Sequence, residues 1–381
     1  MIPYNGVFFF YILALVSIPV IILGLKGKKI KKYGMVINLL MLFLFFGGSW
    51  VQTTCLVLFY IGELALIKGY LYLRQRLPSR WILRILVLLS LMPLILVKVS
   101  HYFIITPVGF LGISYVTFKS IQMLIEIYDG LIKEVDILDF TYFLLFFPTI
   151  SSGPIDRSRR FMEDINKVPS GEEYKKCLKM GIWKVFTGVL HKFVIASLIS
   201  TYWLNKIPNS HNILDTLNYM YAYSMYLFFD FAGYSLFAVG TSLLFGVRTP
   251  DNFNKPFTSK DIKDFWNRWH MSLSFWFRDF IYTRFVMTAM KKKWFKSRYT
   301  SSYIGFIITM GTMGLWHGTE IQYIIYGIYH ALLIISTDFF QRKSKLYKKY
   351  KNNVLWNYVS IFITFNLICF GFLIFSGQLF K

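Results

Sequence analysis

Acidic residues and cysteines are both scarce in this chain of 381 residues. It has 19 Asp and Glu against 42 Lys and Arg, a formal net charge of +23, and only three cysteines. Cys55, Cys177 and Cys369 are scattered, odd in number and without metal-ligand spacing, so we assign them no chemistry. P-loop, GxSxG, HExxH and CxxC patterns are also missing. ATP hydrolysis, serine hydrolysis and zinc chemistry therefore have no sequence support.

Apolar residues, by contrast, are abundant. The chain is 55% hydrophobic and 20% aromatic, with a mean hydropathy of +0.48, which is too apolar for an ordinary soluble domain and typical of many membrane-spanning runs. The basic residues cluster between these runs, as the positive-inside rule describes. We therefore interpret the positive charge as a topology signal and a contact with anionic membrane lipids, and we expect no nucleic-acid partner.

The apolar runs predict an all-α, polytopic integral membrane protein in the cell membrane, forming a single transmembrane domain over residues 1–381. We expect about 10–11 transmembrane helices, plus re-entrant and interfacial helices. The first run has its lysines after it rather than before it, so we expect a span and not a cleaved signal peptide. The predicted spans are residues 7–25, 34–50, 52–73, 81–97, 108–128, 181–204, 217–247, 303–316, 321–339 and 356–380.

Dense Lys and Arg without acid predict that loops 26–32, 74–80, 291–298 and 342–351 are cytoplasmic and that the N-terminus is extracellular. Residues 140–150 do not fit this alternation as a full span. The sequence FFPTISSGPID breaks at Pro148, Gly153 and Pro154. We predict that 140–150 is re-entrant, because irregular backbone at membrane depth is tolerated only when protein buries it.

The stretch KDFWNRWHMSLSFWFRDFI, residues 263–281, predicts one amphipathic helix. Placed at 100° per residue, one apolar face contains Phe265, Trp266, Trp269, Leu273, Trp276, Phe277 and Phe280, and His270 lies at the border of that face. Asn267, Ser274 and Arg278 form an adjoining polar stripe. The charged residues make a transmembrane position costly, so we expect this helix at the interface or shielded by protein.

Ionisable residues inside the apolar runs are the other candidates for chemistry. His317 follows a run that is short for a span and lies between Gly314 and Gly318, a GxxxG spacing that allows close backbone approach. At His317, structural and chemical roles are both open; at His330 we favour a hydrogen-bonded packing role. Asp230 and Glu63 are interpreted as acids held by Tyr or Arg partners, with a proton relay as the alternative. His101, His191 and His211 lie near span ends and are interpreted as interfacial.

Ordered motifs across nearly the whole chain resemble the membrane-bound O-acyltransferase family. They are PLILVKV at 93–99, FLGISYVTFKS at 110–120, FFPTISSGPIDR at 146–157, LFFDFAGYS at 227–235, NKPF at 254–257, KDFWNRWHMSLSFWFRDF at 263–280, MGLWHG at 313–318 and FLIFSG at 372–377. The resemblance is closest to the subgroup that attaches D-alanine to teichoic acid in Gram-positive bacteria. It implies that His317 is the catalytic histidine. The second signature position is His270 here, where many eukaryotic members have Asn or Asp, so its role is less defined.

The resemblance also implies a reaction and its partners. D-alanine would arrive as a thioester on the 4'-phosphopantetheine arm of an acidic carrier protein at the cytoplasmic side. It would leave as an ester of lipoteichoic acid or of an intermediary hydroxyl acceptor, with other teichoic-acid D-alanylation proteins as partners. No cofactor or metal is expected on the chain itself. We expect His317 to act as general base, because imidazole titrates near neutral pH. His270 would bind the thioester or stabilise developing charge, with Asn267, Ser274 and Arg278 as substrate contacts.

A basic and apolar surface follows this stretch and is our candidate for docking the carrier. It combines Lys291, Lys292 and Lys293 with the apolar residues Phe285, Val286 and Met287. The same lysines also suit a role in topology alone. Two other functions stay open: a transporter or flippase for an acylated envelope precursor, which would favour repeat symmetry and paired broken helices, and a non-catalytic scaffold of an envelope-modifying complex.

Overall fold

The computed structural model describes residues 1–77, 79–102, 109–208 and 212–380. These residues form helices and no strand, which confirms the predicted all-α class. His211 and the side chain of His101 lie outside the described part. The first eight helices are α1 Val7–Leu25, α2 Lys31–Phe46, α3 Trp50–Arg76, α4 Arg80–Val99, α5 Ile113–Tyr128, α6 Ile137–Leu144, α7 Ser158–Asn166 and α8 Gly171–Val189.

The second half of the chain contains both long and short helices and two π-helical segments. The helices are α9 Ser197–Tyr202, α10 Ile213–Leu244, α11 Ile262–Trp266, α12 Met271–Phe277, α13 Thr283–Lys291, α14 Arg298–His317, α15 Ile321–Lys343, α16 Lys345–Tyr350 and α17 Val354–Phe375. The π-helical segments are Leu190–Ala196 and Arg278–Tyr282.

Within the described residues, seven helical stretches are long and apolar enough to cross a membrane. They are Val7–Leu25, Trp50–Arg76, Arg80–Val99, Gly171–Lys206, Ile213–Leu244, Ile321–Lys343 and Val354–Phe375. Each coincides with a predicted span. The other three predicted spans are also helical, but α2 and α5 have only 16 residues each and α14 does not meet the same apolarity. α14 has 20 residues, so the helix extends beyond the short apolar run 303–316 from which this span was predicted.

The chain folds as two units. Unit 1 comprises Met1–Val189 and Tyr234–Pro250, and unit 2 comprises Leu190–Gly233 and Asp251–Lys381. Helix α10 contributes its first part to unit 2 and its last part to unit 1. The prediction of a single transmembrane domain over residues 1–381 stays a prediction.

In unit 1, the chain between α6 and α7 is irregular and buried, as the sequence FFPTISSGPID predicted. Its backbone is held by side chains from distant helices. Asn38 accepts a hydrogen bond from the Phe147 N–H at 2.7 Å, and Tyr4 donates to the Pro148 carbonyl at 3.0 Å. The Lys119 ammonium donates to the Phe143 carbonyl at 3.0 Å and to the Thr149 hydroxyl at 3.1 Å. The bonds to Phe147, Pro148 and Phe143 satisfy backbone groups at the end of α6 and in the segment that follows it. Re-entry into the membrane stays a prediction.

Two arginines that follow this segment are engaged inside the same unit. Arg160 pairs with Asp156 and lies 2.9 Å from the Asp164 carboxylate, while Arg157 donates to the Gln122 side-chain oxygen at 3.2 Å.

Glu63, which we expected to pair with Tyr or Arg, is instead buried in unit 1 beside the hydroxyls of Ser90 and Ser120. The predicted identity of its partners was therefore wrong.

In unit 2, helices α14 and α15 approach each other through glycines, as the GxxxG spacing predicted. A Cβ on Gly314 would overlap the Tyr323 carbonyl oxygen, and one on Gly327 would lie 2.5 Å from the Met310 carbonyl oxygen. Only glycine fits such backbone contact. The end of α14, where His317 stands, is thereby fixed against α15.

Asp230 forms an ion pair with Lys192, within unit 2. We predicted a Tyr or Arg partner, and that identity was wrong. Lys192 lies in the π-helical segment Leu190–Ala196, which the apolar pattern of this run did not indicate. The pairing favours the structural role for Asp230 over a proton relay, because Lys192 already compensates the negative charge of the Asp230 carboxylate.

Candidate active site

The stretch predicted as one amphipathic helix is broken before His270, so that prediction was wrong. α11 ends at Trp266 and α12 begins at Met271. In a continuous helix the Met271 N–H would donate to Asn267; here it donates to the Asn252 carbonyl at 2.9 Å. Likewise the Arg268 carbonyl accepts from the Asn254 N–H at 3.0 Å. Bonds to the preceding loop have replaced those of the helix.

His270 is the residue at which the chain turns. Its φ of 44° and ψ of 50° are left-handed, a conformation that costs a non-glycine residue roughly 1–2 kcal/mol. The start of α12 is held by Asn252, whose side-chain oxygen accepts from the Ser272 hydroxyl at 2.6 Å and from the Ser272 N–H at 3.3 Å. Asn252, which lies outside the predicted helix, therefore stabilises the strained backbone at His270.

The His270 imidazole is 4% exposed and lies among aromatic rings. Phe231 contacts it edge to face at a centroid distance of 4.8 Å, and the Trp316 ring lies at 6.3 Å. Burial lowers the pKa of His270 to about 3, with the nearby His317 contributing in the same direction. His270 is therefore a neutral imidazole at neutral pH.

His317 is the last residue of α14 and is only partly buried. Trp316 precedes it at a ring distance of 4.6 Å, and Phe375 from α17 lies edge to face at 4.9 Å. Tyr326 and Tyr323 from α15 lie at 6.1 and 6.3 Å. Unit 2 thus brings the two predicted histidines together within one aromatic surround. Their charge coupling shows that they are neighbours, although 47 positions separate them in the sequence.

The three predicted substrate contacts are placed differently from a helical stripe. Asn267 is exposed in the turn. The Ser274 hydroxyl donates to the Trp269 carbonyl at 3.1 Å, and the exposed Arg278 lies 2.9 Å from the Asp279 carboxylate and over the Phe275 ring. Since the break removes the continuous wheel, Asn267 does not share a helical face with Ser274 and Arg278. Their substrate-binding roles stay predictions.

The predicted docking residues separate into packed and exposed groups. Val286 packs toward α14, where a Cβ on Gly305 would lie 2.9 Å from its Cγ2, and Phe285 lies 6.0 Å from the Trp294 ring. Met287 is 66% exposed, and Trp294 is 51% exposed. Lys291, Lys292 and Lys293 are all exposed. Trp294, which sequence reasoning did not include, joins the lysines at this surface; its place directly after them was the available signal.

His330 is fully buried in unit 2. Its ring packs against Tyr326 at 4.6 Å and Trp266 at 5.2 Å. Within the described residues neither ring nitrogen has a hydrogen-bond partner, so the packing half of our interpretation agrees with the structure and the hydrogen-bonded half does not.

Sequence reasoning did not name three further residues at the site, Phe231, Phe375 and Asn252. Their contacts with the two histidines and with the start of α12 come from distant segments of the chain. Phe231 and Phe375 lie within the motifs LFFDFAGYS and FLIFSG, which were the available signal, whereas Asn252 lies outside the quoted motifs.

Three relatives share this sequence over almost their full length. The chain is 49% identical to the "Teichoic acid D-alanyltransferase" of Bacillus subtilis, over 99% of this chain and 98% of that protein. It is 41% identical to the protein of the same name from Lacticaseibacillus rhamnosus, over 100% and 98% of the two chains. It is 40% identical to that of Streptococcus thermophilus, over 99% and 95%.

The motifs and the family profile agree. The profile of MBOAT, the membrane-bound O-acyltransferase family, matches residues 38–377, a range that includes both histidines and the aromatic residues around them. This chain therefore belongs to the membrane-bound O-acyltransferase family and is a multi-pass membrane protein of that family.

Proposed function

We propose that this chain is a teichoic acid D-alanyltransferase, which moves D-alanine from a carrier-protein thioester to a hydroxyl acceptor on the way to lipoteichoic acid. Three relatives with that name, at 40–49% identity over at least 95% of their length, support the substrate class. The observation that carries the chemistry is the pairing of a partly exposed histidine, His317, with a buried neutral one, His270, in unit 2.

His317 acts as the general base. The acceptor hydroxyl attacks the thioester carbonyl carbon, and the imidazole takes the hydroxyl proton as the new C–O bond forms. The tetrahedral intermediate then collapses, the C–S bond breaks, and the proton passes to the leaving thiolate. An imidazole with a reference pKa near 6.5 can accept and return this proton at neutral pH. Partial exposure of His317 gives the reacting groups access to it.

His270 serves the oxyanion rather than the proton. A histidine that stays neutral has one N–H donor, and a donor in a buried site stabilises negative charge more strongly than it would in water. The left-handed turn and the bonds to Asn252 fix its backbone before substrate arrives. Asn267, Ser274 and Arg278 are the proposed substrate contacts around this turn.

The acyl donor docks at the surface formed by α13 and the residues directly after it. An acidic carrier meets Lys291, Lys292 and Lys293, while Met287 and Trp294 supply exposed apolar contact. Charge accelerates the encounter, and the apolar side chains hold the complex. Phe285 packs near the Trp294 ring, and Val286 packs toward α14, so these two side chains stabilise the surface. The donor's 4'-phosphopantetheine belongs to the carrier, so the chain itself supplies only side chains to the reaction.

We propose that donor and acceptor bind at opposite faces of the membrane. We place loops 26–32, 74–80, 291–298 and 342–351 in the cytoplasm and the N-terminus outside, because the loops are dense in Lys and Arg. The carrier then arrives from the cytoplasm, and lipoteichoic acid or an intermediary hydroxyl acceptor is met outside together with other D-alanylation proteins. Single-cysteine labelling of intact cells with an impermeant reagent tests this: rapid labelling in any of the four loops overturns it.

The function is tested with the full chain purified into lipid nanodiscs. D-alanyl carrier with radiolabelled D-alanine is added with lipoteichoic acid or candidate hydroxyl acceptors, and the label is followed to an alkali-labile ester. Transfer that requires the chain supports the enzyme. Movement of an acylated precursor across proteoliposomes without ester formation would favour a transporter, and complex assembly without either would favour a scaffold.

A further inference from the structure

A groove of about 960 Å³ runs along one face of α8 in unit 1. Six of its lining residues recur at steps of three or four positions, so they share one stripe of the helix. They are Lys175, Lys176, Lys179, Ile182, Trp183 and Phe186, and all six are exposed. The stripe is therefore basic toward the N-terminal end of α8 and apolar toward its C-terminal end.

The opposite face of α8 packs against other helices of unit 1. A Cβ on Gly24 in α1 would lie 2.5 Å from the Tyr174 ring, and one on Gly181 would lie 2.9 Å from the Gly240 carbonyl oxygen. The Tyr174 hydroxyl also donates to the Leu244 carbonyl at 2.7 Å. These contacts fix the rotation of α8, so the groove lies on the face turned away from them.

The change from basic to apolar along the groove matches a membrane boundary. The stretch Gly171–Lys206, which contains α8, is long and apolar enough to cross a membrane. Trp183 is 72% exposed and Phe186 is 69% exposed. Tryptophan is enriched where a helix meets the membrane–water interface, and lysine extends from there toward the head groups. The three lysines therefore lie at the level of lipid phosphates, and the two rings lie at the level of the upper acyl chains.

A second basic segment lies at the same end of α8. A Cβ on Gly171 would lie 2.6 Å from the Leu25 carbonyl oxygen, and one on Gly27 would lie 3.7 Å from the Pro169 carbonyl oxygen. Loop 26–32, which contains five lysines and no acid, therefore begins beside the first turn of α8. Both basic segments lie at one end of unit 1.

The acids at this end of α8 offset little of that charge. Glu172 lines the groove 3.9 Å from Lys175, but their side chains are 82% and 68% exposed, and such a surface ion pair is weak. Glu173 is bonded to Lys167 at 3.0 Å and is not part of the groove lining. The lysines of the groove therefore present net positive charge to a ligand.

We propose that this groove binds an anionic phospholipid, with its phosphate at Lys175, Lys176 and Lys179 and its acyl chains along Ile182, Trp183 and Phe186. A phospholipid matches both parts of the stripe, whereas a soluble anion would use the lysines alone. The cytoplasmic leaflet is the anionic one. Loop 26–32, which we place in the cytoplasm, puts the groove in that leaflet. This inference does not depend on the proposed transferase activity.

Photolabelling tests the proposal with the full chain in phosphatidylcholine nanodiscs. The probe is a phosphatidylglycerol with a diazirine in its acyl chain, and labelled peptides are mapped by mass spectrometry. A phosphatidylcholine with the same chains is the matched probe without net charge. Each lysine near an anionic lipid contributes on the order of fivefold in affinity. We therefore expect phosphatidylglycerol to label α8 at a half-saturating mole fraction at least about tenfold below that of phosphatidylcholine.

Two sets of substitutions separate the head-group end from the apolar end. Combining Lys175→Gln, Lys176→Gln and Lys179→Gln should remove the preference for phosphatidylglycerol at α8. The control combines Lys345→Gln, Lys348→Gln and Lys349→Gln, which removes as much exposed charge from α16. Trp183→Ala should weaken labelling by both probes several-fold. Its control is Trp81→Ala, since Trp81 is 69% exposed in unit 1 and does not line the groove.

Loss of the preference in the α8 lysine variant, with retention in the α16 variant, supports the site. Equal half-saturation by the two probes overturns it, and so does equal weakening in both lysine variants. Displacement of the probe by millimolar glycerol phosphate would assign the lysines to a soluble anion and overturn the lipid. If the probes are equal and carrier binding falls in the α8 lysine variant, the lysines dock an acidic protein instead. Melting midpoints verify folding, and the two probes on the native chain decide even where a variant does not fold.

Discussion

Two interruptions of helical structure, the largely buried residues 145–157 in unit 1 and residues 251–270 in unit 2, which are partly exposed and include the short helix α11, use their polar groups in opposite ways. At the unit 1 interruption, Asn38 accepts a hydrogen bond from the Phe147 N–H, and Lys119 donates to the Thr149 hydroxyl and to the carbonyl of Phe143 at the end of α6. In the unit 2 interruption, the backbone is held largely by backbone bonds and by Asn252, and the His270 imidazole is placed beside His317. Only the second arrangement contains a histidine for which we propose a role in the reaction.

The basic residues that follow the two interruptions differ in the same sense. Arg157 and Arg160 are bonded to Gln122 and to Asp156 within unit 1. Lys291 and its two neighbours are exposed in unit 2. Irregular backbone and a basic flank therefore do not identify a functional segment by themselves. What distinguishes a functional segment is whether its polar and basic side chains are already bonded to other groups of the protein.

The largest expected effect is the loss of transfer in His317→Ala. A positioned base contributes about 10²–10⁴-fold, so D-alanyl transfer should fall by that factor while the melting midpoint stays close to that of the native chain. Transfer is measured with labelled D-alanyl carrier. Near-native transfer by the folded variant would contradict the role of His317 as base. The two interruptions would then no longer differ in having a proposed catalytic neighbour.

Lys119→Met, in unit 1, should lower stability while leaving transfer intact, the opposite of the result expected for His317→Ala. It removes an ammonium that bonds the Phe143 carbonyl and the Thr149 hydroxyl, so unfolding should become easier by about 2–4 kcal/mol. Thermal unfolding in detergent measures this, and transfer per folded molecule should remain. If this variant loses transfer at full stability, the unit 1 interruption has a chemical role after all.

His270 should make stability sensitive to acid. Its folded pKa of about 3 lies below the unfolded reference near 6.5, so between these values the unfolded chain holds a proton that the folded chain does not. Its contribution is complete above about pH 6.5 and is lost as the pH falls, with a slope of at most about 1.4 kcal/mol per pH unit. The melting midpoint from pH 7.5 to 5 should therefore fall less in His270→Asn, since Asn tolerates a left-handed turn.

An equal midpoint shift in native chain and His270→Asn would contradict the buried neutral state. In Asn267→Ala the acid sensitivity should match the native chain, since that side chain is exposed.

The smallest effect concerns the exposed lysines. Replacing Lys291, Lys292 and Lys293 with Glu should slow carrier association by roughly tenfold and reduce its dependence on salt. Surface-immobilised binding across a salt series measures both, after orientation has been verified. The control reverses Lys345, Lys348 and Lys349, another cluster of the same charge at the surface. Equal slowing in both variants would mean that general charge, and not this surface, steers the carrier.

Much of the helical architecture follows from the sequence, because long apolar runs leave a membrane segment few alternatives. The broken helix before His270 does not. A helical wheel records only positions along one segment, whereas the break is made by backbone bonds to Asn252 and Asn254. Similarly, no local pattern showed that Lys192 pairs with Asp230, or that Val286 packs toward Gly305. The histidines themselves were identified by motif, and their adjacency required the fold.

The π-helical segment Arg278–Tyr282 has a consequence for how relatives are aligned and engineered. Its hydrogen bonds close from i to i+5 instead of i+4, so each turn takes in one more residue. One residue corresponds to a rotation of roughly 100° about the helix axis. The face of α13 that carries Met287 is therefore offset in phase from the face of α12 that carries Trp276. Deleting a single residue here would rotate α13 relative to α12, so a different set of side chains would lie at the proposed docking surface.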